Sequence, residues 1–289
     1  MKVLIFGYGF IGKSLYQSFK TEGFDVFVAS RNFADINSSN DFIKFDVLDG
    51  DFDCIPNINP IEIIYTISIN IPGTVDSEDC FEKELQAFRN VLDYAHKSKI
   101  KRITLISSSS VYGNTTINGV DESSVISPIN QYGKLKSEME KHLIKFSNIS
   151  HLKYLILRVS NLYGMNQIKQ GIVSRMLSSN KYHNKITIRN NGESIRDFLF
   201  VEDLTNAVRL LINSNKINIL YNISSGVPTK IVNLVAVVKR FNPNIEDSLV
   251  FVPDSEELIC SMLQNHKFKA DFTDWIVTEL SDGIRKIMR

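Results

Sequence analysis

The sequence predicts an α/β chain built on a doubly wound parallel sheet, and three observations carry that prediction. Apolar runs of strand length alternate with longer amphipathic stretches of helical period, which is the pattern of βαβ units. The first run, Val3-Leu4-Ile5-Phe6, passes directly into Gly7-Tyr8-Gly9-Phe10-Ile11-Gly12 and then into a helical pattern through Leu15 and Phe19. A later run, Ile103-Thr104-Leu105-Ile106, ends in four serines, Ser107 to Ser110. Their hydroxyls are thereby placed at a carboxyl end of the sheet, where open α/β sheets hold ligands.

Taken in order, strands are expected at 2–6, 25–29, 61–67, 102–107, 154–159 and 219–223. Helices are expected at 11–21, 78–97, 130–146, 168–178, 202–213 and 229–240. The glycine turn after the first strand has the G-x-G-x-x-G spacing of a dinucleotide site. Gly7 permits the tight turn, Gly9 lets backbone approach a pyrophosphate, and Gly12 lets helix and strand pack closely. Phe10 and Ile11 open the helix whose N-terminus would face the anion.

The second strand ends at Ser30-Arg31. An Asp or Glu there would accept hydrogen bonds from ribose hydroxyls. A small hydroxyl followed by a guanidinium suits a 2′-phosphate instead, so NADP(H) is expected over NAD(H). A solvated surface charge is the plainer account of Arg31. Asp46 and Val47, after the apolar stretch Phe42-Ile43-Lys44-Phe45, are candidate adenine contacts, although Asp46 also fits a turn.

Tyr132 and Lys136 are four residues apart on a predicted helix and so share a face. An ammonium beside a phenol favours the phenolate and is expected to lower the Tyr pKa towards neutrality. Such a phenol can exchange a proton at a carbonyl or alcohol carbon, with a serine hydroxyl holding the reacting oxygen.

Composition narrows the function classes. The 289 residues are 43% hydrophobic, enough for one large domain or two intimate ones, and the formal net charge of +1 gives no electrostatic case for nucleic acid. Cys54, Cys80 and Cys260 are an odd count without close spacing, so neither a disulfide framework nor a metal site is expected. The longest apolar stretch, Ile61 to Ile71, is interrupted by Glu62, Ser68 and Asn70 and is too short for a bilayer. No basic-then-apolar leader opens the chain, and a cytoplasmic enzyme is expected.

Five segments in order resemble the extended short-chain dehydrogenase/reductases, and within them the nucleotide-sugar epimerases, dehydratases and reductases. They are Gly7 to Gly12, Ser107 to Gly113, Tyr132 to Lys136, Leu157 to Gly164 and Arg196 to Asp203. The resemblance implies a Rossmann-type domain over 1–164, with 197–225 returning to it, and a smaller substrate-binding region over 165–196 and 226–289. It implies Tyr132 as acid/base, Lys136 as its activator and a ribose ligand, and Ser108, with Ser109 as the fallback, on the reacting oxygen. It also implies Asn161 and Arg196 on the diphosphate of a nucleotide sugar. For Arg196, an ion pair with Asp197 or Glu202 is the structural alternative. A homodimer through the helices at 78–97 and 130–146 is implied as well. Phe81, Leu85, Phe88 and Leu92 form a stripe that fits either that interface or the core.

The departures from the family subtract reactions. Its sugar 4,6-dehydratases carry Asp-Glu where this chain has Ser109-Ser110, and its fucose-forming epimerase-reductases carry Cys at the position of Ser110. The glycine turn is also one residue shorter than the usual G-x-x-G-x-x-G. What the resemblance leaves is NADPH-dependent reduction of a dTDP- or GDP-4-keto-6-deoxy sugar, or 4-epimerisation with resident NAD. A non-catalytic NADP-binding regulator and a reductase of small aldehydes or ketones are the rivals from other classes.

Overall fold

The computed structural model describes residues 1–31, 40–56, 58–68, 78–167, 171–182, 185–253 and 259–288. The strands are β1 (Lys2–Phe6), β2 (Asp25–Ser30), β3 (Phe42–Lys44), β4 (Glu62–Tyr65), β5 (Arg102–Ser108), β6 (Lys153–Val159), β7 (Asn161–Tyr163), β8 (Ile186–Ile188), β9 (Ile195–Phe200), β10 (Ile219–Ile223), β11 (Pro228–Lys230), β12 (Leu249–Phe251) and β13 (Cys260–Ser261). The helices are α1 (Phe10–Thr21), α2 (Glu78–Lys97), α3 (Gln131–Ser150), α4 (Ile172–Tyr182), α5 (Val201–Ile212), α6 (Ile231–Lys239), α7 (His266–Asp271) and α8 (Leu280–Ile287).

Seven parallel strands form the main sheet in the order β10-β6-β5-β4-β1-β2-β3. The chain runs outward from β1 to β3, then returns to β4 on the other side of β1 and runs outward again. That reversal makes the β1/β4 crevice the topological switch point, where a ligand-binding cleft is expected. Strand period places alternate residues on opposite faces. Leu4 and Phe6 of β1 pack with Leu85 and Phe88 of α2 and Leu135 and Met139 of α3. Val3 and Ile5 pack with Leu15 and Phe19 of α1 and with Leu204 and Val208 of α5. A third apolar cluster gathers Tyr163, Met176, Ile188, Phe198, Leu234 and Ile284 beside the small sheets.

A buried ion pair ties the sheet to α5. Arg102 Nε sits 2.6 Å from Glu62 Oε2, and its Nη atoms donate to the carbonyls of Leu211, Ile212, Ser214 and Lys216. The guanidinium therefore satisfies the carbonyls that the end of α5 leaves without intrahelical partners.

Several expectations are corrected. The stripe on α2 turns inward: Phe88 is fully buried, as are Leu85 and Leu92 within a few per cent, and Phe81 packs on the same cluster. It therefore belongs to the core, and no dimer contact is read from it. Residues 42–44 form a paired edge strand, a three-residue element too short for periodicity to register. The helix expected from 229 begins at Ile231, because Pro228 to Lys230 pair with β9. The helix expected at 168–178 runs from Ile172 to Tyr182, and residues 168–170 lie outside the described residues.

Candidate active site

The carboxyl ends of β1, β2 and β4 and the start of α3 enclose a cleft of about 340 Å³ at the switch point. It is lined by Gly7, Gly9, Phe10 and Ile11 on one side and by Ser30, Arg31, Asp46 and Val47 on another, with Tyr132 at its foot. Residues as far apart in sequence as Gly7 and Tyr132 are thus brought to one crevice. Gly12 lies beneath: a Cβ there would stand 2.0 Å from the Gly7 carbonyl oxygen, and Gly7 itself has φ +104°. Neither position tolerates a side chain without displacing the turn.

The residues present fit a dinucleotide. No side chain caps the N-terminus of α1, and a Cβ built on Gly9 would meet nothing within 4 Å. Backbone N–H groups there are open to a pyrophosphate. Arg31 Nη1 lies 3.8 Å from Asp46 Oδ2, both partly exposed, so the guanidinium reaches across the mouth of the cleft. Asp46 Oδ1 also accepts from Leu48 N, and the residue serves its turn as well as the cleft. Sequence reasoning missed Tyr8, Phe45, Thr66, Ile67 and Ser68 in the lining. Thr66 Oγ1 donates to the Phe6 carbonyl at 2.9 Å and holds the end of β4 against the glycine turn. The signal available for it was the Thr-Ile-Ser sequence closing an apolar run.

The four serines point to four different tasks. Ser107 Oγ donates to Glu140 Oε1 at 2.5 Å, inside a buried network with Arg158. Ser108, which accepts from Ser110 N, hydrogen-bonds to the Tyr132 phenol. Ser109 accepts from Ser261 Oγ of β13 at 3.3 Å. The Ser110 carbonyl packs on Gly133, where a Cβ would come within 2.3 Å of it. That contact lets the first turn of α3, begun by the Asn130 cap on Gly133 N, lie directly against the serines. Gly133→Ala is expected to shift Tyr132 off Ser108 and lower turnover about 100-fold, since misplacement by an ångström costs that much. Steady-state kinetics alongside a thermal melt would check it, with the melt reporting any global loss of fold.

Lys136 is 2% exposed; its Nζ donates to the Ile67 carbonyl at 3.4 Å and lies 5.7 Å from the Tyr132 ring centroid. Burial lowers its pKa, while Glu84 and Glu140 act to raise it. The expectation of a Tyr132 tuned towards neutrality is not met. Burial pushes the phenol up to about 12, the Ser108 hydrogen bond pulls it down, and Glu84 pushes it further up. Burial of the phenol is the largest of these effects.

Asn161 Nδ2 donates to the Asp197 carbonyl at 3.1 Å, across the β7–β9 pairing. Arg196 Nη1 donates to the carbonyls of Ile195 and Ile259. The carboxylate of Asp197 accepts from Ser160, Ser225 and the Gly226 N–H, and Glu202 pairs with Lys286. Arg196 is the register partner of Ser261, whose hydroxyl reaches Ser109. The small sheet thereby carries Arg196 to the side of the serine run. Asn166 Nδ2 donates to Gln17 Oε1 on α1. No helix among the described residues is long and apolar enough to cross a membrane.

Comparison with known proteins agrees with this geometry. A putative UDP-glucose 4-epimerase of Methanocaldococcus jannaschii is 27% identical over 246 residues, 81% of this chain and 80% of that one. A dTDP-D-glucose 4,6-dehydratase of Dictyostelium discoideum is 26% identical over 71% of this chain, a match spanning half of that protein's length. The fold is that of a UDP-glucose 4-epimerase of Thermotoga maritima solved with UDP-glucose (TM-score 0.90, 22% identity, 100% of this chain and 97% of that one). The sequence profile of the NAD dependent epimerase/dehydratase family matches residues 3–224, and the chain belongs to that family.

Proposed function

We propose that the protein reduces the 4-keto group of a dTDP- or GDP-activated 4-keto-6-deoxy sugar with NADPH. The observation that supports this reading best is the lining of one cleft by Ser30, Arg31 and Tyr132 together, with Ser108 acting on the Tyr132 phenol from the end of β5. A bound nicotinamide supplies the hydride. Ser108 holds the C4 oxygen, and Tyr132 donates its proton to that oxygen as negative charge develops. Lys136 orients the phenol and grips the ribose. Residues 165–196 and 226–289 form the substrate region, and Asn161 and Arg196 hold the diphosphate. Ser109 and Ser110 offer neither the carboxylates of a dehydratase nor the thiol of a 3,5-epimerising reductase at those positions.

The test is loss of reduced-nicotinamide absorbance on enzymatically made dTDP- and GDP-4-keto-6-deoxy sugars, with NADPH and NADH in parallel. Arg31→Ala is expected to weaken NADPH binding about ten- to a hundredfold, the worth of a lost charge-assisted hydrogen bond, and NADH binding hardly at all. Fluorescence titration measures both, and equal losses would return Arg31 to a plain surface charge paired with Asp46.

A second reading is favoured by the epimerase relative that aligns over four-fifths of both chains. In it Tyr132 would take the proton of the C4 hydroxyl and later return it, with Ser108 holding that oxygen, while a resident NAD would accept the C4 hydride and give it back. Nicotinamide nucleotide retained through dialysis, without NADPH consumption, would select it.

A further inference from the structure

Two buried ion pairs stand at opposite ends of the main sheet. Arg102 and Glu62 open β5 and β4, and the guanidinium reaches the end of α5, away from the cleft. Arg158 and Glu140 stand at the carboxyl end, and Glu140 belongs to α3, the helix that carries Tyr132 and Lys136. Positions 132, 136 and 140 follow at four-residue steps on one face, with Glu140 about 12 Å along the axis from Tyr132. Glu140 grips two strands at once. Ser107 and Arg158 are register partners across β5 and β6. Ser107 Oγ donates to Glu140 Oε1 at 2.5 Å, while Arg158 donates through Nε to both oxygens and through Nη2 to Oε2 at 2.6 Å. The same guanidinium donates through Nη1 to Tyr112, just after the serine run. Ser107, Tyr112, Glu140 and Arg158 are each at most 3% exposed.

Stability alone is a weak reason for such a pair, since well-packed apolar residues in its place often serve as well. What directed bonds add is position. Leu135, Met139 and Leu143 seat α3 on the apolar cluster, and contacts of that kind are non-directional. The forked bond from Arg158 and the short one from Ser107 fix how far along the strand ends the helix stands. Ser107 is the residue before Ser108, and the first turn of α3 lies against the serine run, where the Ser110 carbonyl packs on Gly133. We propose that Glu140 is a positioning residue for proton transfer: joined to Ser107 and Arg158, it holds α3 at the axial height that sets Tyr132 against Ser108. The inference rests on the reading of Tyr132 and Ser108 as the proton-transfer pair, which ketoreduction and epimerisation share.

The test separates position from stability. Arg158→Met/Glu140→Leu removes both charges and strands neither, so it is expected to melt near the unsubstituted protein and to bind NADPH as tightly. Its NADPH-dependent turnover of the 4-keto sugars is nonetheless expected to fall about 100-fold, the cost of misplacement by an ångström. Ser107→Ala leaves the ion pair whole and is expected to lose about tenfold in kcat with KM unchanged, the effect of a smaller displacement. Ser107→Thr keeps the hydroxyl and is expected to keep the rate. A second readout needs no substrate. In protein labelled with ¹³C at tyrosine Cζ, the Tyr132 line is the one missing from Tyr132→Phe. That line is expected to move in Ser107→Ala and in the double variant, and to stay in place in Ser107→Thr. A line unmoved in both overturns the proposal, as does original turnover in the double variant. A Ser107→Thr protein as slow as Ser107→Ala assigns the loss to packing and overturns it too. Should the double variant fail to fold, the two Ser107 variants decide by both readouts. A line that moves in a protein that reduces none of the sugars supports the positioning role and removes the reductase reading.

Discussion

Tyr132→Phe is expected to lose about two to four orders of magnitude in turnover while binding NADPH as tightly as the unsubstituted protein. The phenol lines the cleft, and Ser108 at the sheet's carboxyl edge acts on it. Phenylalanine keeps the ring against which Lys136 lies and removes only the hydroxyl. The pH dependence follows from a pKa pushed up to about 12. A general acid works while protonated, so ketoreduction is expected to hold level from neutrality into the mildly alkaline range. It declines only as pH rises towards the phenol's own value. Stopped-flow single-turnover rates for the variant, with NADPH affinity measured beside them, check both halves. A variant turning over at the original rate would remove Tyr132 from the mechanism.

The second large effect is one of stability. Arg158→Met is expected to cost about 3–5 kcal/mol, because it strands the buried Glu140 carboxylate without its counter-charge. Arg158 Nε and Nη2 bond both oxygens of Glu140, with the shortest contact at 2.6 Å, and Nη1 donates to the Tyr112 hydroxyl at 2.7 Å. Tyr112 in turn donates to Asn222 Oδ1. The network joins β6 to α3, to the turn after β5 and to β10, so its loss should be felt globally. Urea unfolding monitored by the single tryptophan, Trp275, which is buried against Phe268, gives the number. A loss below 1 kcal/mol would mean that the site relaxes or admits water. Arg158→Met/Glu140→Leu, which removes both charges, is expected to recover much of the loss.

Much of the cleft was legible in the order of residues. The glycine turn, Ser30-Arg31 and Asp46-Val47 are each local signals, and a parallel sheet delivers such signals to one edge because every strand ends on the same side. The Tyr132–Lys136 pair was legible too, since helical period alone fixes their shared face. The division of labour among the four serines was not. Adjacent positions on a strand end and its 3-10 turn point in different directions, and their partners, Glu140, Tyr132, Ser261 and Gly133, are distant in sequence. The inward turn of the α2 stripe was hidden for a related reason. A helix displays the same period whether its apolar face meets its own sheet or a second copy.

By itself the sequence determined the α/β class and the local signals of the glycine turn, the strand end and the Tyr132–Lys136 face, because these follow from short-range periodicity and turn chemistry. The tertiary structure alone decided which charges are buried and with what partners. That is why the Tyr132 phenol, expected near neutrality from its neighbour on the helix, stands near 12. Desolvation depends on every element packed around a group, and four residues of spacing carry no record of it.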